Sequence, residues 1–162
     1  MAQFSFDVVS EIDKAEVTNA LDQTRKELIQ RFDFKGTGTE ISNEGETIEI
    51  RSSSEGRVEA ALEVLKEKMV RRNVSLKALS PGKIEPAASS TYKQTINLVH
   101  GISDEKARTI NKFIKGLGTK AQSQIQGEQL RVMSKTKDDL QTIIQALKEE
   151  DFGIPLQFTN YR

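Results

Sequence analysis

Arg31-Phe32-Asp33-Phe34 packs two aromatic rings, a guanidinium and a carboxylate into four consecutive residues. Such a set can stack a planar base on a ring while the arginine meets a phosphate. It can equally be a core anchor beside an exposed ion pair, and the residues alone leave both readings open. A second chemical grouping is spread out: Lys93, Lys106, Arg108, Lys112, Lys115, Lys120, Arg131, Lys135 and Lys137 face only Asp104, Glu105 and Glu128 over the same stretch. A local cationic excess of this kind focuses positive potential on an anionic ligand, unless its members are only solvated surface. Arg131, Lys135 and Lys137 with Lys120 and Gln122 are the candidates it supplies.

Chemistry of the catalytic kind is missing. His100 is the one histidine, no Gly-x-Ser-x-Gly turn accompanies it, and a lone imidazole has no partner for a metal. With no cysteine there is neither a thiolate zinc site nor a disulfide. Lys115-Gly116-Leu117-Gly118-Thr119 has two glycines without the rest of a dinucleotide fingerprint and reads as a helix stop. The carboxylates of Asp138-Asp139 and Glu149-Glu150-Asp151 sit at helix ends, where water solvates them. The expectation is a protein that is not an enzyme, with no metal and no cofactor.

The elements that position these groups follow from periodicity. Phe4, Phe6 and Val8 alternate as in a half-buried strand, and Val17, Ala20, Leu21, Thr24, Leu28 and Phe32 give a helical stripe behind an Asp13 cap. Residues 39–42 and 47–52 flank Asn43-Glu44-Gly45-Glu46 as a hairpin, followed by a helix carrying Val58, Ala61, Leu62, Leu65 and Met69 and a short strand at 75–79. Pro81, Gly82 and Pro86-Ala87-Ala88-Ser89-Ser90 predict a linker over 81–90. The second half repeats the order: a strand at 92–99, a helix behind Ser103, strands at 120–126 and 129–134, a helix behind Thr136, and a closing strand at 156–160.

A shift of 82 residues lays Gly45-Glu46-Thr47-Ile48-Glu49-Ile50 over Gly127-Glu128-Gln129-Leu130-Arg131-Val132, and Leu65-Lys66-Glu67 over Leu147-Lys148-Glu149, with no gap. Two amphipathic helices match easily by chance; a match that also carries the turn glycine and the strand alternation argues duplication. The predicted fold is α+β, a tandem pair of ferredoxin-like βαββαβ units with helices on one face of each antiparallel sheet. Domains are expected at 1–80 and 91–162, with the last strand closing its own sheet or crossing to the first domain's. The open sheet face of the second unit would hold Lys120, Gln122, Gln124, Gln126, Gln129, Arg131 and Met133. At that point the copies diverge, since Glu49 lies over Arg131, which makes the second the better anion binder.

Balanced charge, 24 cations against 24 carboxylates, argues against a dedicated nucleic-acid binder. The central strands carry no aromatic ring on which an RNA-recognition module could stack a base. No apolar run reaches the roughly 20 residues that span a bilayer and no secretory signal opens the chain, so the expected compartment is the cytosol.

Ser5-Phe6-Asp7-Val8-Val9-Ser10-Glu11, Arg31-Phe32-Asp33-Phe34-Lys35, the run from Ala121 to Val132, Lys137-Asp138-Asp139-Leu140-Gln141 and Pro155-Leu156-Gln157-Phe158-Thr159-Asn160-Tyr161-Arg162 together resemble the YajQ family of bacterial proteins. The resemblance runs over the whole chain. It implies two ferredoxin-like domains and nucleotide binding, with cyclic di-GMP the ligand of some members and tRNA or guanine nucleotide suggested for others; it carries over no catalytic residue. Three functions follow as expectations: a nucleotide-binding effector that passes its signal to a protein partner such as a transcription regulator, an RNA-binding module using phosphate contacts, or a purely protein-binding adaptor.

Overall fold

The computed structural model describes residues 3–162. In chain order its elements are β1 (Phe4–Val9), α1 (Lys14–Gln30), β2 (Glu40–Glu44), β3 (Thr47–Ser52), α2 (Glu55–Arg71), β4 (Leu79–Pro81), β5 (Glu85–Ala87), β6 (Thr91–Leu98), α3 (Asp104–Gly116), β7 (Gln122–Gln126), β8 (Gln129–Ser134), α4 (Lys137–Glu149) and β9 (Gln157–Thr159). Each helix begins where a side chain accepts from its otherwise unpaired amides. Asp13 Oδ1 takes Ala15 N and Glu16 N at 3.1 and 3.2 Å, and Ser54, Ser103 and Thr136 cap the other three. The predicted stripes are the buried faces: Val17, Ala20, Leu21, Thr24 and Leu28 on α1, and Val58, Ala61, Leu62, Leu65 and Met69 on α2. Thr24 tolerates burial because its hydroxyl donates to Ala20 O at 2.7 Å.

Two α+β units result, each the expected duplicated ferredoxin-like arrangement. Residues 12–99 form one, with strand order β2-β3-β6-β4 and β5 beside β6, around Leu21, Ile48, Ile50, Leu65, Met69 and Ile96. The segment through Glu11 joins His100–Arg162 to form the other, with order β7-β8-β1-β9 around Phe6, Val8, Ile110, Ile114, Leu130 and Ile143. Every pairing is antiparallel.

The expected boundaries, 1–80 and 91–162, are therefore corrected: β1 lies in the sheet of the C-terminal half, and β6 in the sheet of the N-terminal half. The last strand does close its own sheet, but on β1. Electrostatics supplies a physical reason for the trade. Val8 pairs with Leu130 as Ile96 pairs with Ile48, so Asp7, which faces Arg131, occupies the place that Thr95 holds opposite Glu49. In the other sheet Asp7 would meet a carboxylate; here its own carboxylate, only 4% exposed, accepts from Arg131 Nε at 2.9 Å and from Asn160 Nδ2 at 2.8 Å. One buried group thereby ties β1 to β8 and to the residue after β9.

The linker predicted at 81–90 is also corrected. Pro81 pairs with Ile96, Glu85 with Lys93 and Pro86 with Tyr92, so Pro81 and Glu85–Ala87 are strand on the edge of β6, with residues 88–90 a 3-10 turn after them. Proline, which has no amide to donate, is tolerated at such an edge. Residues 76–78 form a 3-10 turn and the short strand follows at Leu79. The chain changes unit after Val99, and just beyond it the Gly101 amide donates to Ser10 O at 2.6 Å with φ +82°; a Cβ there would lie 2.7 Å from Glu128 Oε2. His100, beside it, is exposed.

Asp7→Ala should lower stability by about 2 kcal/mol, because Arg131 and Asn160 lose a buried acceptor. The Arg131 guanidinium holds the Asp7 carboxyl below its ordinary range against the opposing effect of burial. Its contribution is then fully present above the unfolded carboxyl's value near ~3.9 and is lost as pH falls through the lower folded value. Urea unfolding of wild type and Asp7→Asn should therefore differ at neutral pH and converge in strong acid; a constant gap would refute the linkage. Gly101→Ala should lower Tm more than Gly118→Ala, whose φ is +73° but whose Cβ would enter open space.

Candidate functional site

The last turn of α1 builds a corner in the unit of residues 12–99. Arg31 N donates to Glu27 O at 2.9 Å to end the helix, and Phe32–Phe34 then form a 3-10 turn closed by Phe34 N to Arg31 O at 3.2 Å. That turn throws the two rings apart. Phe34 is buried, whereas Phe32 is 85% exposed with Lys35 Nζ 6.0 Å from its centroid.

Over Phe34 lie two guanidiniums, Arg31 at 5.1 Å and Arg57 at 5.8 Å from the ring centroid. Asp33 sits between them, accepting from Arg31 Nε and Nη2 at 3.0 and 2.8 Å and from Arg57 Nη1 at 3.2 Å. Its carboxyl is held below the ordinary range, chiefly by the Arg31 hydrogen bond, and Arg31 is raised by the same contact. Glu27 is lowered chiefly by Lys68, which reaches it at 2.8 Å. Arg31 is thus committed to Asp33 and Glu27, and its first task is to clamp Phe34.

Phe34 also lines a groove of about 480 Å³. Leu28, Ile29, Phe34 and Ile41 make its apolar lining, and Arg25, Lys35, Thr39 and Glu40 its polar rim. Arg25 is held by Asp22 at 2.9 Å and donates to Ile41 O at 3.1 Å, while Thr39 Oγ1 meets Ser52 Oγ at 2.8 Å. A volume of this size admits a small planar ligand, with apolar walls for its ring and Lys35 as the cation for an anionic end.

The remaining candidates fall in the other unit and do not converge. Arg131 is bound to Asp7; Gln122 is exposed on the open sheet face; Lys120 precedes β7 instead of lying on it; Lys135 is exposed between β8 and α4. Lys137 opens α4 with Nζ 5.1 Å from the Phe4 ring. The cationic stretch is accordingly no single patch, and Lys106 is spent on Phe152 O at 2.7 Å. Among the described residues no group of three or more ligating side chains could hold a metal, and no helix is long and apolar enough to cross a membrane.

The groove residues Arg25, Ile29 and Thr39 and the clamp residue Arg57 went unread in the sequence. Ile29 left a signal: it falls off the stripe through Val17, Ala20, Leu21, Thr24 and Leu28, and is 78% exposed. Nothing in the pattern of α2 marks Arg57, which meets Asp33 only through tertiary packing.

Comparison with known proteins bears on what such a groove is for. The family model described as nucleotide-binding protein, YajQ-like, matches residues 4–162. A protein of Nocardia farcinica is 56% identical over 165 residues and one of Saccharopolyspora erythraea 55% over 165, each alignment covering both chains completely. One of Anaeromyxobacter dehalogenans is 52% identical over 159 residues, covering 98% of both chains. All three carry the name nucleotide-binding protein. With this match over nearly its whole length and the duplicated fold that carries it, the chain belongs to the YajQ-like family.

Proposed function

We propose that this protein binds a nucleotide in the groove beside Phe34, as a cytosolic receptor that performs no catalysis. The observation that carries the proposal is an apolar groove of nucleotide size with Arg25 and Lys35 at its rim. The base lies against Ile29 and Phe34, Lys35 meets a phosphate, and the exposed Phe32 ring extends the stacking surface. Arg31 and Arg57, joined by Asp33, hold the Phe34 ring. The names of the relatives support the ligand class. Within it, the resemblance to cyclic di-GMP-binding members favours a guanine nucleotide, with the bound state read by a protein partner such as a transcription regulator.

RNA binding through the basic second half is the weaker reading, because Arg131 on its open sheet face is neutralised by Asp7. It requires affinity to fall steeply with salt and with Lys120→Glu. Arg131→Glu is a poor probe, since it sets two carboxylates against each other.

Calorimetry with cyclic di-GMP, GTP and ATP tests the proposal. At least one should give saturable heat, weakened about tenfold or more by Ile29→Glu or Lys35→Ala, a loss near ~1.4 kcal/mol, with Lys148→Ala as an exposed control on α4. The ligand should be recovered unchanged after prolonged incubation. No heat at high micromolar nucleotide removes this reading, and turnover of the ligand removes its non-catalytic part.

A further inference from the structure

An exposed sheet edge offers a row of backbone groups to any strand, and proteins block such edges with charge, proline or brevity. Three of the edges here are blocked. β2 reads Glu-Ile-Ser-Asn-Glu, so two copies paired antiparallel about Ser42 would set Glu40 against Glu44 twice. β4 and β5 contain Pro81 and Pro86, and β9 has three residues.

The fourth edge is different. β7 reads Gln-Ser-Gln-Ile-Gln, with no charge and no proline, and pairs only with β8. Gln122 and Gln124 are exposed, and Ile125 is 39% exposed although it is in register with the fully buried Leu130. Ser123 is tied inward to Asn111 of α3, which keeps that helix beside the edge.

The charges flanking β7 are ordered. α3 runs antiparallel to it: Ile102 N donates to Glu128 O at 2.9 Å, which places the start of α3 by the β7–β8 turn and its end by Gln122. Lys112, Lys115 and Lys120 therefore lie toward one end of the edge, and Asp104, Glu105 and Glu128 toward the other, all six exposed; Arg108, also exposed, and Lys106, held by Phe152 O, stand on the acidic half and reduce its excess without reversing it. A twofold axis through Gln124 brings the cationic end of one copy to the acidic end of its mate, pairs Gln122 with Gln126, and covers Ile125.

We infer that β7 is a self-association edge: two copies of this chain join antiparallel through β7 into one continuous sheet. A dipolar, neutral edge is complementary to itself, whereas an acidic or basic partner strand would match one half of it and be repelled by the other. The contact rests on one short strand, so association is concentration-dependent.

Sedimentation equilibrium of the full chain is the test. Its weight-average mass should rise from 18.1 kDa toward twice that as concentration increases. Lys115→Glu with Lys120→Glu should weaken self-association about tenfold or more, and so should Asp104→Lys with Glu128→Lys. Mixing the two doubly substituted proteins should restore a dimer, because each reversed end then meets its opposite. Thermal unfolding checks that both variants fold; Lys120→Glu with Lys115→Gln replaces the first, and Asp104→Lys with Glu105→Lys the second, where either does not. A monomer at every concentration, or charge reversal that changes nothing, overturns the inference, as does a mixture that fails to associate.

Discussion

The carboxylate of Asp7 sits in the middle of a sheet with its donors supplied by strands on either side, Arg131 from β8 and Asn160 after β9. A charge so little exposed is unfavourable anywhere it is not paired. Only one of the two sheets offers the pairing. The equivalent place in the other sheet faces Glu49, whose charge is already matched by Arg51 at 2.8 Å. Membership of β1, and with it the path of the chain between the units, follows from that constraint. β6 then fills the vacancy next to β3, where Thr95 faces Glu49 without conflict.

Duplication makes such a device necessary. Two copies of one fold present similar slots for their first strands: Val8 is fully buried opposite Leu130 as Ile96 is opposite Ile48. Apolar burial is non-directional and cannot choose between slots of the same shape; a buried ion pair can, since its wrong pairing is penalised. The copies diverge where this choice is made, at Glu49 and Arg131.

The same logic separates the two groups of cations. Arg131 stabilises a strand junction, and Arg31 and Arg57 press on Phe34 from either side of Asp33. In both places the guanidinium is engaged within the fold, so an arginine beside an aromatic ring is as much a structural clamp as a ligand contact. The apolar wall of the groove that Phe34 lines carries Lys35 at its rim, a cation with no ion pair among the described residues to hold it.

The helices, their caps, the hairpins and the internal duplication are all local facts. Ser and Asp caps, apolar stripes at helical spacing and a turn glycine repeated at Gly45 and Gly127 depend on neighbours within a few residues, and the sequence alone determined them. It also located the Arg31–Phe34 corner. Which sheet receives β1 was decided by a partner 124 residues away in the chain, and Glu85–Ala87 became a strand only because β6 lies beside it. The groove beside Phe34 is likewise tertiary: its walls come from α1 and from residues 34–42, and no spacing along the chain records the volume between them.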